Sequence, residues 1–224
     1  MFNTQLKENT EQLLLMHEYG VDVKSRTVYL MGEFGGDCDA VEMTLVNLRH
    51  LTSPHHFPED YLKPVTMVID SPGGEDVAMF HLYDFMTTCP TPINTVGTGE
   101  VCSAAALILV AGDERFATPN CMFMTHKGKS GTMGDDDEVA AQAALQALNS
   151  DKYWKLLERH TKLTASQWFA KSKHKGELWL NISSMLEYGV IDSVVPTSKE
   201  WPVLSTKKLR TRVKEVEVED EDDD

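Results

Sequence analysis

The sequence predicts a single α/β domain in which strands and helices alternate along the chain. Two observations point to this fold class: hydrophobic residues make up 42% of the 224 residues, and strand-like and helix-like segments follow one another. A chain of this length can bury one substantial core but has little room for a second. Alternating strands and helices are typical of layered α/β folds with right-handed crossovers.

The spacing of apolar residues assigns each element in turn. A period near that of the α-helix predicts a helix, whereas a short run of apolar and β-branched residues predicts a strand. The run at 65–70 is almost continuously apolar, as expected for a parallel strand buried on both faces. Strands are predicted at 26–32, 65–70, 93–96, 114–118, 121–125 and 190–195. Helices are predicted at 4–18, 38–51, 77–86, 103–110, 135–160, 164–173 and 182–188.

These elements divide the chain into three parts. Residues 1–25 form an N-terminal segment, residues 26–196 form the folded domain, and residues 197–224 form a polar to acidic tail. We expect the end of this tail to be disordered, since it carries a run of acidic residues and few large apolar ones.

The overall charge and the cysteines restrict the class of protein. The net charge is −14, with 35 acidic and 21 basic residues, which argues against nucleic acid or an anionic membrane as a partner. The N-terminus lacks the pattern of a signal peptide, and no apolar run approaches the roughly 18 residues of a membrane span. The four cysteines form no CxxC pair, so we expect a reducing, cytoplasmic location and no disulfide framework.

The segment Ser71-Pro72-Gly73-Gly74 lies between the buried strand and a predicted helix. Two successive glycines allow the backbone to approach a ligand closely. A helix beginning at Gly74 would present unpaired N–H groups, which suit an oxyanion or a phosphate equally well. A tight turn with no chemical role would also explain the segment.

Ser103 stands at the start of a very apolar helix, after a strand and a Gly-Thr-Gly segment. The helix N-terminus would favour negative charge at the serine oxygen and near the amide of Ala104. Taken alone, the pattern favours a serine that merely caps the helix, which is common for this residue.

His126 closes an apolar strand and is followed by a glycine-rich stretch. A histidine in this position can act as a general base, although a lone histidine is more often structural. The three segments each follow a predicted strand, at the edge where α/β proteins form their sites. Their order and setting therefore favour a shared site.

Two adjacent histidines, His55 and His56, are followed by Glu59 and Asp60, a set of side chains that can bind a metal ion. Adjacent loop histidines seldom converge on one ion without other partners, so no metal site and no cofactor are predicted.

In this order and spacing, the segments resemble the Clp protease proteolytic subunit (ClpP-like) family. The resemblance extends from residue 26 to 195 and includes the stretches Phe123-Met124-Thr125-His126 and Glu187-Tyr188-Gly189-Val190-Ile191-Asp192. It implies a crotonase-like layered fold of sheet and helices, with a long protruding handle helix. It also implies a serine endopeptidase whose subunits stack as heptameric rings around a chamber that receives polypeptides.

The resemblance implies a role for each matching residue. Ser103 would attack the peptide carbonyl and His126 would take and return its proton, while the Gly74 and Ala104 amides would stabilise the oxyanion. The substrate would lie against Gly73, Lys127 and Gly128.

The third catalytic residue departs from the family pattern. Counting back from Tyr188 places Glu177 where the family has an aspartate, and the loop before it is longer than usual. A glutamate can orient a histidine in other triads. Glu177 is preferred to Asp192, although a solvated glutamate beside a lysine cluster remains an alternative.

Other departures concern the partners. Thr66 and Val68 replace tyrosines that help to form the family's docking groove, which argues against docking of the usual Clp unfoldase. An AAA+ unfoldase stays open as a partner. Together with the acidic tail, these replacements suggest a divergent member, phage-encoded or the product of a second gene. Two other functions stay open: an inactive assembly subunit, and an acyl-CoA hydratase or isomerase of the same fold.

Overall fold

A computed structural model describes residues 2–36, 39–128, 131, 133–173 and 176–195 of the chain. The predicted acidic tail lies outside the described residues. Every predicted helix and strand is present with shifted ends, and two short strands at 21–22 and 177–180 are additional. The helices are α1 (Phe2–Tyr19), α2 (Ala40–Leu51), α3 (Asp76–Thr88), α4 (Ala104–Val110), α5 (Asp136–His160), α6 (Ala165–Lys173) and α7 (Ile182–Tyr188). The strands are β1 (Val21–Asp22), β2 (Thr27–Phe34), β3 (Val65–Gly74), β4 (Ile93–Cys102), β5 (Arg115–Ala117), β6 (Met122–His126), β7 (Glu177–Leu180) and β8 (Ser193–Val194).

The strands form one mixed sheet in the order β1-β2-β3-β4-β5-β8, with β6 paired to β4 and β7 paired to β6. The pairs from β2 through β5 to β8 are parallel, as the buried apolar run of β3 predicts. The antiparallel pair β1–β2 means that the sheet begins before residue 26.

Strand β4 changes partner along its length, and this change positions the site. Its residues 95–97 pair with β5, whereas its residues 100–102 pair with β6. Because β6 runs parallel to the end of β4, the residues that follow both strands lie side by side. The antiparallel strand β7 then pairs with the other edge of β6.

Helix α4 forms the centre of the core. All seven of its residues are buried, together with inward-facing residues of β3, β4 and α3. Such burial holds the turn between β4 and α4 in a fixed position relative to the sheet.

The long helix α5 has two different halves. Asp135 caps its N-terminus, where its side chain and that of Glu138 form a reciprocal capping box. Residues 136–145 are exposed, whereas Tyr153, Trp154, Leu156 and Leu157 are buried. The helix therefore protrudes from the domain at its N-terminal half and packs into it at its C-terminal half. None of the helices in the described ranges is long and apolar enough to cross a membrane.

Candidate active site

Ser103 occupies a sharp turn between β4 and α4. Its backbone angles, φ 55° and ψ −118°, lie in a region that residues other than glycine rarely adopt. A serine in such a strained strand-to-helix turn presents its Oγ away from the backbone, as nucleophiles of α/β hydrolases do. The sequence predicts this helix start correctly, but Ser103 makes no side-chain capping bond to α4.

Two hydrogen bonds join the backbone of this turn to β6 and α5. The Ser103 N–H donates to the Met124 carbonyl at 2.8 Å, and the Tyr153 hydroxyl donates to the Ser103 carbonyl at 3.0 Å. The same hydroxyl lies 2.9 Å from Thr125 Oγ1, and both of these side chains are buried. Burial raises the pKa of Tyr153 strongly, so its hydroxyl keeps the proton that it donates.

His126 reaches the nucleophile from the end of β6. Its Nε2 lies 2.8 Å from Ser103 Oγ, which is hydrogen-bonding distance. The pairing of Cys102 with Met124 accounts for this approach, because it aligns the ends of β4 and β6. The structure thus brings together the serine and the histidine that the sequence selects.

Glu177 lies directly across the β6–β7 pair from His126. Side chains of directly opposed residues share one face of the sheet, with Cβ atoms about 4.5–5.5 Å apart. The Trp179 indole N–H donates to Glu177 Oε2 at 3.2 Å. Glu177 and His126 therefore project from the same face of the strand pair.

Asp192, the other carboxylate considered, has a structural partner. Both of its oxygens accept from the Arg115 guanidinium, at 2.6 and 3.1 Å, and one also accepts the Arg115 N–H. This bidentate pair fastens the segment before β8 to β5 and occupies the carboxylate. The structure favours Glu177 over Asp192 as the neighbour of the imidazole.

The glycine pair lies beside the serine turn, but the backbone there differs from the expected helix start. Strand β3 continues through Gly74, and α3 begins two residues later. The α-carbon that approaches the turn is that of Gly73, where a Cβ would lie 2.5 Å from the Cys102 carbonyl oxygen and 2.7 Å from Ala104 N. Only glycine tolerates both this approach and its φ of 89°.

The amides of the two glycines point in different directions. The Gly73 N–H donates to Ser71 Oγ at 3.0 Å. The Glu75 N–H donates to the Phe34 carbonyl of β2. The N–H of Gly74, between Gly73 and Glu75, is therefore not part of the hydrogen bonding between β2 and β3. Ala104 is the first residue of α4, and its N–H has no carbonyl acceptor within the helix.

A family model for Clp protease matches residues 19–198 of the chain. The chain belongs to the Clp protease family. Its mixed sheet and surrounding helices agree with the crotonase-like fold of that family, which confirms the predicted fold class.

Three curated relatives show the extent of the similarity. The chain is 34% identical to ATP-dependent Clp protease proteolytic subunit 2 of Treponema denticola, over 62% of this chain and 70% of the relative. It is 29% identical to proteolytic subunit 1 of Rhodopirellula baltica, over 80% and 77% of the two chains. It is 28% identical to proteolytic subunit 2 of Treponema pallidum, over 80% and 87%.

A cavity in this Clp-family domain opens beside the serine and histidine. Gly128, one of the predicted substrate contacts, lines it, and Lys127 is exposed next to it. Ala104 also lines the cavity, together with residues that the sequence pattern did not single out as functional: Asp76, Met79, Gln146, Asn149, Ser150 and Tyr153.

The missed residues of α5 leave a signal in the sequence. Residues 146, 149, 150 and 153 are spaced by three, four and seven positions from the first, which places them on one face of a helix. They form a polar stripe within an alanine-rich segment. This stripe could have been recognised from the sequence. Asp76, the other polar residue of the cavity, could not.

Cys102, adjacent to the serine, is not a competing nucleophile. Burial, followed by the nearby carboxylates of Glu100, Glu177 and Asp70, raises the pKa of its thiol to about 12. The thiol is therefore protonated at neutral pH, and a thiol is a much weaker nucleophile than a thiolate.

Within the described ranges, no three His, Cys, Asp or Glu side chains are arranged to hold a metal ion. The ring of His56 lies against that of His50, with centroids 4.4 Å apart.

Proposed function

We propose that this Clp-family chain is a serine endopeptidase that cleaves unfolded polypeptides and peptides. The observation that carries the proposal is the 2.8 Å contact between Ser103 Oγ and His126 Nε2. A hydroxyl within hydrogen-bonding reach of an imidazole is the nucleophile–base pair that covalent catalysis requires. The strained turn at Ser103 supports the same role, since strain of this kind concentrates at active sites.

Catalysis would proceed through an acyl-enzyme. His126 Nε2 accepts the hydroxyl proton while Ser103 Oγ attacks the peptide carbonyl carbon. The imidazolium then protonates the departing amine, and the C–N bond breaks to leave an ester on Ser103. Water, deprotonated by the same imidazole, hydrolyses this ester and regenerates the hydroxyl.

Two backbone amides would stabilise the oxyanion of each tetrahedral intermediate. We assign this role to Gly74 and Ala104, which flank the serine turn from β3 and from the first residue of α4. Donors fixed by the fold act without reorganising during the reaction, which is why they stabilise a transition state effectively.

Glu177 would orient the imidazole. Its position across the strand pair from His126 supports the assignment. A carboxylate in this role selects the tautomer that leaves Nε2 able to accept a proton, and it stabilises the imidazolium.

The assembly of the chain is a further part of the proposal. Subunits would stack as heptameric rings in the cytoplasm, with the exposed half of α5 between rings and an AAA+ unfoldase supplying polypeptides. The relatives are named as subunits of ATP-dependent proteases, which supports an ATP-driven partner. Native mass spectrometry tests the ring, and a mass of seven or fourteen subunits is expected.

Two alternatives share the fold. An acyl-CoA hydratase or isomerase would use carboxylates as its acids and bases, and the Ser103–His126 contact supports the peptidase instead. An inactive assembly subunit would retain the fold without turnover.

A fluorophosphonate probe distinguishes these functions. We expect covalent labelling at Ser103, complete loss in Ser103→Ala, and a strong decrease in His126→Gln, together with cleavage of an unfolded substrate such as casein. A correctly folded, ring-forming protein that resists the probe and leaves casein intact would contradict the proposal and support the inactive subunit. Retained labelling in Ser103→Ala would show that another residue reacts.

A further inference from the structure

The cavity beside Ser103 is lined largely by polar side chains. The α5 stripe, Gln146, Asn149, Ser150 and Tyr153, forms one wall. Asp76, the first residue of α3, contributes a carboxylate to the same cavity. A side chain entering past Ser103 would therefore meet amide, hydroxyl and carboxylate groups.

Asp76 is held in place by contacts and by its position. Its Oδ2 accepts a hydrogen bond from Asn149 Nδ2 at 3.2 Å, which joins the start of α3 to α5. A carboxylate has four acceptor positions, so this bond leaves capacity for a ligand. The first turn of a helix also favours a negative charge.

The remaining walls suit a long aliphatic stem. Met79 and Ala104 are buried apolar residues that also line the cavity. A lysine or arginine side chain combines an apolar stem with a cationic tip, which matches a cavity lined by both apolar and polar groups. Apart from His126, the residues that line the cavity include no basic side chain.

We propose that this cavity receives the side chain of the residue whose carbonyl is attacked (P1), and that Asp76 selects a basic P1 residue, lysine or arginine. The inference rests on the proposed peptidase function and adds its substrate class. A cationic tip would pair with Asp76, and its remaining N–H groups would find acceptors in the oxygens of Asn149 and Ser150.

Competing P1 residues fit the cavity less well. An acidic side chain would bring like charges together. An aliphatic one would cover the carboxylate and amides without pairing them, and a site built to hydrogen-bond a substrate discriminates strongly against an analogue that lacks the group. The P1 preference therefore follows the order basic, neutral polar, aliphatic, acidic.

Peptidyl diphenyl phosphonates that differ only at P1 test this order on the assembled wild-type protein. Lysine, glutamine, norleucine and glutamate probes have similar lengths and differ in charge and polarity. We expect the lysine probe to label Ser103 at least about tenfold faster than the norleucine probe, in the range by which pockets discriminate between side chains. Equal or faster labelling by norleucine or glutamine would overturn the inference.

Asp76→Asn isolates the charge, since it keeps the size of the side chain. We expect the ratio of lysine to norleucine labelling rates to fall by about tenfold or more, because a charge-assisted hydrogen bond is replaced by a neutral one. Asp84→Asn is the matched control: it removes the same charge from an exposed position of the same helix and should leave the ratio unchanged. An unchanged ratio in Asp76→Asn, or an equal fall in both variants, would refute the role of Asp76.

The failure of the two proposals can be told apart. If the general fluorophosphonate probe labels Ser103 but the P1 series shows no preference for lysine, the peptidase assignment stands and the specificity assignment fails. If no probe labels Ser103 in a folded, assembled protein, the peptidase assignment itself fails. Should Asp76→Asn not fold, the wild-type series alone still decides the P1 preference.

Discussion

The hydroxyl of Tyr153 offers a direct test of how the fold positions the nucleophile. It donates to the Ser103 carbonyl at 3.0 Å and lies 2.9 Å from Thr125 Oγ1. Tyr153→Phe removes only this hydroxyl and keeps the ring in the core. The Ser103 carbonyl and the Thr125 hydroxyl then both lose a partner in a buried environment.

The size of the effect on stability follows from these contacts. Leaving a buried polar group unsatisfied costs about 1–3 kcal/mol. The Ser103 carbonyl also accepts from the Ala106 N–H at 3.0 Å, so its loss is partly compensated. We therefore expect a decrease of about 2 kcal/mol in the free energy of unfolding, or ~4–8 °C in Tm for a domain of this size.

The effect on reactivity has a separate cause. Ser103 holds a backbone conformation that costs on the order of 1–3 kcal/mol and persists only while its surroundings enforce it. Without the Tyr153 hydroxyl, the turn can relax and move Oγ away from His126. A displacement of about 1 Å can reduce a reaction rate by about 100-fold. We expect fluorophosphonate labelling of Ser103 to slow by about 10–100-fold.

Thr125→Val separates positioning from general destabilisation. It removes the hydroxyl that faces Tyr153 but leaves the bond from Tyr153 to the Ser103 carbonyl intact. We expect a loss of stability similar to that of Tyr153→Phe with a much smaller loss of labelling rate. The double variant completes a cycle that measures the coupling between the two hydroxyls. Equal labelling by Tyr153→Phe and wild type, in a protein whose Tm has fallen, would refute the positioning role.

Three further predictions concern the rest of the site. Glu177→Gln should lower the labelling rate by at least about 100-fold at neutral pH while leaving Tm nearly unchanged, because the orienting carboxylate is lost without a change in packing. Gly73→Ala should destabilise the protein and abolish labelling, since its Cβ would lie 2.5 Å from the Cys102 carbonyl oxygen; Gly131→Ala, where nothing described lies within 4 Å, should change Tm little. Burial raises the pKa of the Cys121 thiol, like that of Cys102, to about 12. Peptide mapping after treatment with iodoacetamide at pH 8 should therefore find Cys89, which is partly exposed, modified well before these two; similar rates for all three would contradict the expected protection.

The sequence is informative about the strands but not about where they end. Glycines normally predict the end of a strand, yet β3 runs through Gly73 and Gly74, and β4 runs through the Gly-Thr-Gly segment. In both cases pairing with a neighbouring strand continues past an irregularity in register. Tertiary pairing thus overrides the local signal, and it changes the expected role of Gly74 from helix start to strand end.

Residues that act from a distant part of the chain are the harder problem. Ser103 and His126 each stand next to a strand end, so the local pattern and the family resemblance together select them. Tyr153 lies 50 positions beyond Ser103, and although it shares the polar stripe of α5, that stripe does not show which residues its hydroxyl contacts. Its partners are a backbone carbonyl and a buried hydroxyl, and neither leaves a pattern that local spacing can reveal.

The assignment of Glu177 finally depends on the register of one strand pair. A shift of β7 by a single residue would move every side chain of the strand to the opposite face of the sheet. The observed register opposes Phe123 to Leu180, both of them buried, and thereby fixes His126 opposite Glu177. The Cβ atom of a glutamate at this position is separated from that of His126 by the distance of a directly opposed pair. The glutamate side chain also has one more methylene than an aspartate with which to reach the imidazole. The buried apolar pair at one end of the strands therefore determines which carboxylate stands beside the imidazole at the other.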